Sequence, residues 1–314
     1  MAESKIKPSD ATDPGWRRRG TLILIATAVL TVLLIGHRLI PNVRGFGSLV
    51  DTGAPFLGLG VPLLALIALL RRSRNALVAV VVPAVAWVLL FGTAWLPSGD
   101  GGPARLRVAS QNLRAGNPDP AGTVAAIAAA GVDLIGLQEL DEAARRTVSG
   151  TLRERYPYQV SVSTVGLWSR FPIRDEVGVD TGLAWTRALR AVVAAPDGDV
   201  VVYVVHLGSA RAGDTDTRDR TVAALAAQLR QDDAGRLIVL GDLNTATTDR
   251  VIEPLTELLR DAQADAGQGP GFTWPAALPM IRPDHVLYRG LTASSADVVR
   301  TPASDHRAVT AGFR

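Results

Sequence analysis

The chain has 314 residues, room for one large domain and an appendage, and its 47% hydrophobic content is high for a protein wholly in water. It contains no cysteine, which excludes disulfides, thiolate metal sites and cysteine nucleophiles. Residues 1–104 carry 10 Lys+Arg against 5 Asp+Glu, whereas residues 105–314 carry 23 Arg and no Lys against 25 Asp+Glu, a net of −2, so the basicity records membrane topology rather than a nucleic-acid footprint.

Three apolar stretches come first. Residues 21–40 are apolar except for His37 and Arg38 near the end, residues 54–70 carry no charge, and residues 76–96 are uncharged with Trp87 and Trp95 toward one end. Each is close to the roughly 20 residues needed to cross a hydrocarbon core of about 30 Å, and three transmembrane helices are expected. The first is too long for a signal-peptide core, and no small-residue cleavage site follows it. Trp16-Arg17-Arg18-Arg19 precedes the first stretch, and Arg71-Arg72-Ser73-Arg74 separates the second from the third. The loop between the first two holds only Arg44 against Asp51. Positive-inside bias then puts the amino terminus in the cytoplasm and everything after the third crossing outside. The expected organisation is a cytoplasmic tail at 1–20, membrane helices within 21–96, a Gly/Pro-rich linker at 97–105 and a catalytic domain at 106–314.

In that domain strands and helices alternate. Strands are predicted at 106–110, 132–137, 200–205, 237–240 and 284–288, and helices at 121–130, 218–230 and 253–260. The pattern reads as an α/β domain with central strands covered by helices. Polar islands punctuate the strand ends: Asn112, Gln138-Glu139, His206, Gly241-Asp242-Leu243-Asn244, Asp284-His285 and Ser304-Asp305-His306. Every histidine after residue 37 falls inside one of them. Asp242 and Asn244 are two positions apart and would share a face if extended geometry continued through them.

These islands, in this order, together with the segment Ser169-Arg170-Phe171-Pro172-Ile173, resemble the endonuclease/exonuclease/phosphatase superfamily of DNase I-like proteins. The resemblance covers essentially all of 105–314 and implies a four-layer α/β sandwich that hydrolyses phosphate esters with a divalent metal. By that resemblance Glu139, with Asn112 and Asp305 close by, would hold Mg²⁺, with Mn²⁺ or Ca²⁺ as alternatives. His306 would be oriented by Asp284, Asn244 and His206 would donate to the phosphate, and either Asp242 or His306 would take the proton from water. Three helices ahead of such a domain also resemble the membrane-anchored VanJ-type subgroup. That likeness, and the short linker, point to a membrane-associated phosphate or diphosphate ester such as a polyprenyl cell-wall intermediate. An anchored extracellular nuclease is the alternative. A tyrosine that some family nucleases place between the Glu and His motifs has no clear counterpart, Trp168 being the nearest candidate. Arg211, Arg218 and Arg220 either clamp a phosphate or pair with Asp214, Asp216 and Asp219. Phe272 and Trp274 either pack in the core or wall the cleft.

Overall fold

The structure, a computed structural model, describes residues 14–96, 102–211 and 213–314, with side chains from residue 20 onward. Residues 1–13 of the expected tail and 97–101 of the linker lie outside the described residues. The chain divides into two compact units, Met1–Pro41 with Gly53–Thr93, and Asn42–Thr52 with Ala94–Arg314. Residues 42–52, which the sequence suggests as a simple loop between membrane helices, thus fold with the second unit.

The helices in this first part of the chain are α1 (Pro14–Gly36), α2 (Phe46–Gly53), α3 (Gly60–Leu70), α4 (Arg74–Ala79) and α5 (Val81–Phe91). The last two form one rod interrupted near Val80, because Pro83 has no N–H to offer the Ala79 carbonyl. Three segments, Gly20–Leu39, Val43–Leu70 and Arg74–Trp95, are long and apolar enough to cross a membrane. In the first unit Leu22, Ile25, Val32 and Leu89 are left more than half exposed, a surface that water would penalise and lipid tails would not. The Trp87 indole N–H donates to the Pro55 carbonyl at 2.7 Å, so this apolar setting strands no donor there.

The second unit is built on twelve strands among the described residues. They are β1 (Leu106–Asn112), β2 (Leu134–Gln138), β3 (Tyr158–Val162), β4 (Val165–Ser169), β5 (Ile173–Gly178), β6 (Ala188–Ala195), β7 (Gly198–His206), β8 (Leu237–Asp242), β9 (Arg260–Asp261), β10 (Asp284–Arg289), β11 (Ala293–Val299) and β12 (Ala308–Phe313). One sheet runs β11-β12-β1-β2-β4-β3 and the other β5-β6-β7-β8-β10-β9. Each sheet has one parallel pair, β1 with β2 and β7 with β8. Each pair is joined through a crossover helix, α6 (Pro120–Ala129) in the first and α8 (Asp216–Gln231) in the second. Another helix, α7 (Glu142–Leu152), follows β2.

Val108, Leu134, Val202, Val204 and Leu240 fill the space between the sheets. Leu225 and Leu229 of α8 cover the outer face of the second sheet, and Val124, Ile127 and Val148 of α6 and α7 cover that of the first. The result is the expected four-layer sandwich. Because the central strands are buried on both faces, β2 and β8 read as unbroken apolar runs rather than alternating ones. The helix predicted at 253–260 is shorter, Glu253–Thr256, because Arg260 and Asp261 leave it to pair with Tyr288 and Leu287 of β10.

Asp232, just past α8, ties the helix layer to its sheet. Its side chain accepts from Arg190 Nε at 2.7 Å, Tyr203 Oη at 2.7 Å and Ala234 N at 3.0 Å. Burial favours the neutral acid, but these donors outweigh it and hold the carboxyl at about 2. A depressed native pKa stabilises the fold above the unfolded value near 3.8 and loses that contribution as pH falls through 2. The contribution at neutral pH is on the order of 2 kcal/mol. Asp232→Asn should lower the melting temperature of the full-length protein by roughly 4–8 °C at pH 7. The gap between variant and wild type should close between pH 4 and pH 2. A gap that stays constant across that range would assign Asp232 a purely packing role.

Candidate functional site

Both parallel pairs end at the same edge of the sandwich. Asn112 lies opposite Gln138 in the first sheet, and His206 lies opposite Asp242 in the second. The antiparallel β10 begins there too, with Asp284 opposite Asp242. Four of the expected site residues, Asn112, His206, Asp242 and Asp284, are therefore delivered by register alone.

Gly241 explains why the strand ends as closely packed as it does. A Cβ at this position would sit 2.2 Å from the Val205 carbonyl oxygen, so only glycine lets β8 lie against β7 just before Asp242. Beyond Asp242 the strand stops. Asn244 adopts φ +49°, and its backbone N–H donates to Asp242 Oδ1 at 2.8 Å, an Asx turn. The two side chains therefore do not share a strand face as the alternation predicts; the turn sends the Asn244 amide to the Leu207 carbonyl at 3.1 Å.

Asn112 is the junction between the sheets. Its Nδ2 donates to Glu139 Oε1 at 3.0 Å and to Asp242 Oδ2 at 2.9 Å, while Ala115 N donates to Glu139 Oε2 at 2.7 Å. Glu139 has φ +57°, a left-handed conformation rare for a glutamate and worth noting where it occurs in a site. Burial raises the pKa of this carboxyl, but the hydrogen bonds from Asn112 and Ala115 bring it below its ordinary value. Asp242 is fully buried and shifts the other way, raised by burial and by the negative charge of Asp284.

Two imidazoles face Asp242 Oδ2, His206 Nε2 at 3.8 Å and His306 Nε2 at 4.0 Å. Behind His306, Nδ1 bonds to Asp284 Oδ2 at 2.9 Å, and Thr273 Oγ1 donates to the same oxygen at 2.5 Å. Burial by itself would make His306 less basic; the Asp284 carboxylate, helped by Asp242 and Asp305, pushes it up to about 9. Behind His206, Arg187 Nη1 lies 3.4 Å from Nδ1. A guanidinium can only donate, so Nδ1 is the acceptor and Nε2 carries the proton toward Asp242 and Glu139. Burial and the Arg187 charge both keep His206 neutral, against the pull of Asp242.

The donor set suits a hard cation. Glu139 Oε1 and Asp242 Oδ2 converge on one amide and on His206 Nε2, and among the described residues neither has an Arg or Lys within 4.0 Å. Carboxylate oxygens are ligands that Mg²⁺ and Ca²⁺ prefer, whereas Asn112 turns its Nδ2 to them and its Oδ1 to the Arg114 N–H, so its oxygen would reach a cation only once the amide turns over. Asp242, Asp284 and His306 also offer ligand atoms within 4.8 Å of one another, but the Asp284–His306 bond already engages two of those atoms. Asp305 is exposed and reaches the site through its charge on His306.

Other sequence candidates are resolved in different ways. Arg218 is buried in ion pairs with Asp219 and Asp249, while Arg220 donates to Asp216 O and Thr217 Oγ1 on the helix surface. Trp168 is buried in β4 against the helix layer, away from the strand ends. Trp274 is 39% exposed, so it is not a core residue, and Phe272 is half-buried. His285, on the opposite face of β10 from Asp284, packs toward Asp261 and the Thr245 carbonyl.

Two contributors escape a reading of the sequence. Arg187 sits just before β6, a strand whose Ala-rich start carries no motif. Gln111 belongs to a strand whose polar character is visible, but its use is not. Its Nε2 donates to Ser304 Oγ and to the His306 carbonyl, both at 3.2 Å, clamping the His306 loop onto β1.

A four-layer sandwich with carboxylates and imidazoles at its strand ends defines a phosphoester hydrolase of the metal-dependent class. Residues 109–306 match the endonuclease/exonuclease/phosphatase family, and the chain belongs to it. No curated protein sequence matches the chain. Among solved structures the fold is similar to a mannosyl-6-phosphatase from Bacteroides thetaiotaomicron, with TM-score 0.56, 17% identity, and 67% of this chain and 99% of that one covered. It is also similar to D. rerio TDP2 complexed with a single-strand DNA product, with TM-score 0.57, 18% identity and coverage of 67% and 98%. A third is beta toxin from Staphylococcus aureus, with TM-score 0.52, 14% identity and coverage of 67% and 100%. At these identities the likeness carries the fold alone.

Arg187 also lies with its guanidinium 5.6 Å from the Trp185 ring centre. Arg187→Met keeps a long stem there and removes the partner of His206. Turnover should fall about 10–100-fold, the usual cost of losing a group that orients another, with the melting temperature unchanged. Unaltered turnover would leave Arg187 a packing residue.

Proposed function

We propose that the chain is a membrane-anchored phosphoesterase whose site faces the extracytoplasmic side and cleaves a membrane-associated phosphate or diphosphate ester, such as a polyprenyl cell-wall intermediate. One observation carries this reading. Asn42–Thr52, bounded in sequence by apolar helices on both sides, belongs to the catalytic unit. Asp51 accepts from Arg250 Nε at 2.5 Å and Nη2 at 2.9 Å. A stretch that leaves one span and enters the next cannot stray from the bilayer, so the unit it folds with works at the membrane surface. The ion pair also supports a topology in which the stretch after the first span and the domain after the third share a side, as three crossings provide. The arginines at 17–19 and at 71, 72 and 74 favour the outer side for both, by positive-inside bias.

In the proposed roles Glu139 and Asn112, with Asp305 at the rim, hold Mg²⁺. The cation supplies charge neutralisation at the phosphate and the leaving oxygen. His206 donates its Nε2 proton to a phosphate oxygen, held in that tautomer by Arg187. His306, braced by Asp284, presents Nε2 to the same oxygens. Asp242 orients the attacking water, and Asn244 closes the anion site beside it.

The test uses full-length protein in detergent with Mg²⁺, polyprenyl diphosphate scored by phosphate release, and plasmid DNA scored by nicking. Phosphate release without nicking is expected. It should be abolished by chelation, restored by Mg²⁺, and lowered by at least about 10³-fold in Asp242→Ala and in His306→Ala with melting temperatures retained. Nicking without phosphate release would replace this reading with an anchored nuclease. Near-normal activity in both variants would overturn the site roles.

A further inference from the structure

The segment Asn42–Thr52 forms one wall of a cavity that opens onto the site. The cavity measures about 660 Å³. Val43, Phe46 and Leu49 line it together with Trp274 and Ile281, and Asn244 and His306 of the site belong to the same lining. Val43, Phe46 and Leu49 are 67%, 57% and 68% exposed, yet the segment that carries them is firmly built into the unit.

Its construction is specific. Asn42 Oδ1 accepts from Ser48 N at 2.8 Å and closes the turn into α2. Gly45 has φ +80°, and a Cβ there would lie 2.4 Å from Thr215 Cγ2, so the segment meets the loop before α8 at a position only glycine fits. Arg218, 2% exposed, donates from Nη2 to Ser48 Oγ at 3.0 Å while Nη1 holds Asp249 at 2.7 Å. Asp51 is fully buried against Arg250. A buried carboxylate and a buried guanidinium are costly features unless paired, and here both serve to fix a strip of exposed apolar side chains next to a phosphate site.

We infer that this cavity receives the first units of a hydrocarbon chain attached to the phosphate, and that Val43, Phe46 and Leu49 determine specificity for such substrates. The inference rests on the phosphoesterase function proposed above. His306 and Asn244 are shared between the phosphate site and the cavity lining, so a group attached to a phosphate held there has the cavity beside it. The apolar part of the lining is aliphatic and aromatic. Of the polar lining, Ser48 and Arg218 bond each other, Thr245 Oγ1 is spent on the Leu243 carbonyl, and Asp249 holds Arg218, which leaves these four poorly placed to read a base or sugar, while Arg44 and Arg211 add exposed cations to the same lining. Val43 follows the first membrane-capable helix, which ends at Leu39, by four residues, so a chain in the cavity is close to the bilayer it comes from.

The experiment compares soluble isopentenyl, geranyl and farnesyl diphosphates, with 5, 10 and 15 carbons, on full-length protein at fixed detergent. Each buried methylene favours binding by about fourfold, so kcat/KM should rise at least tenfold from the five-carbon to the ten-carbon substrate. In Phe46→Ser/Leu49→Ser that rise should vanish while turnover of the five-carbon substrate is retained. Both side chains are exposed, and an unchanged melting temperature checks folding. Leu49→Trp, which fills the cavity, should lower kcat/KM for the longer chains selectively. Hydrolysis with no chain-length preference, or a preference that all variants keep, overturns this inference and leaves the proposed function standing. No hydrolysis of any of the three overturns both.

Discussion

The Asn112 carboxamide is the contact on which the site depends. It joins carboxylates from opposite sheets, Glu139 after β2 and Asp242 at the end of β8. Two carboxylates a few Å apart repel by several kcal/mol at the dielectric of a protein cleft, and Asp284 adds a third negative charge to the same neighbourhood. The strands supply them anyway, because both parallel pairs run their carboxyl ends to one edge. Amide, imidazole and backbone donors offset part of the charge, and the remainder is what a divalent cation and a substrate's developing charge require of one another. The arrangement leaves the fold less stable than an apolar edge would and reactive for the same reason.

That cost is also visible in the backbone. Glu139 and Asn244 both lie in the left-handed region, at φ +57° and +49°. For a glutamate this is worth about 1–3 kcal/mol. Two hydrogen bonds to its carboxylate, from Asn112 and Ala115, compensate, so the same donors that place the charge also hold the strained residue. Gln111 does the corresponding work on the far side of β1. It bonds the loop that carries His306, and Ser304 Oγ returns a bond to the Asn112 carbonyl at 2.7 Å. Adjacent residues of one strand thereby organise the carboxylate half and the imidazole half of the cleft.

Much of this was legible in the sequence, for a physical reason. Central strands buried on both faces are largely apolar, so a polar residue at their end stands out: Glu139, His206 and Asp242 follow such runs and Asp284 opens one, while Asn112 ends a strand that already turns polar at Ser110 and Gln111. Strands β3 and β5, at the edges, are largely exposed and carry no such contrast, and β11 and β12 are rich in alanine, so they pass unnoticed. The turn at Asn244 was hidden because an Asx bond and a continued strand look alike in letters. Arg187 was hidden because its importance comes from β6 lying beside β7, a pairing no local pattern encodes. The anchor of the inter-helix segment was the least visible, since Asp51 and Arg250 are 199 residues apart.

That anchor also bears on where the second membrane-capable segment would enter a bilayer. By hydropathy the span runs from Val43 to Leu70, 28 residues, with Asp51 inside it. A carboxylate at that depth costs about 2.5–3.5 kcal/mol on insertion scales, but Asp51 is paired with Arg250 in the catalytic unit. On the proposed topology the span would then start near Ala54. Seventeen residues of α-helix would cover only about 25 Å, short of the hydrocarbon core. The first six, Ala54–Leu59, form a 3-10 helix, which rises about 2.0 Å per residue instead of 1.5 Å. With the eleven residues of α3 the segment reaches about 28 Å. On that topology the 3-10 winding after Gly53 restores the length lost when most of α2 folds with the second unit, and one continuous apolar stretch would serve as both membrane anchor and wall of the proposed chain-binding cavity.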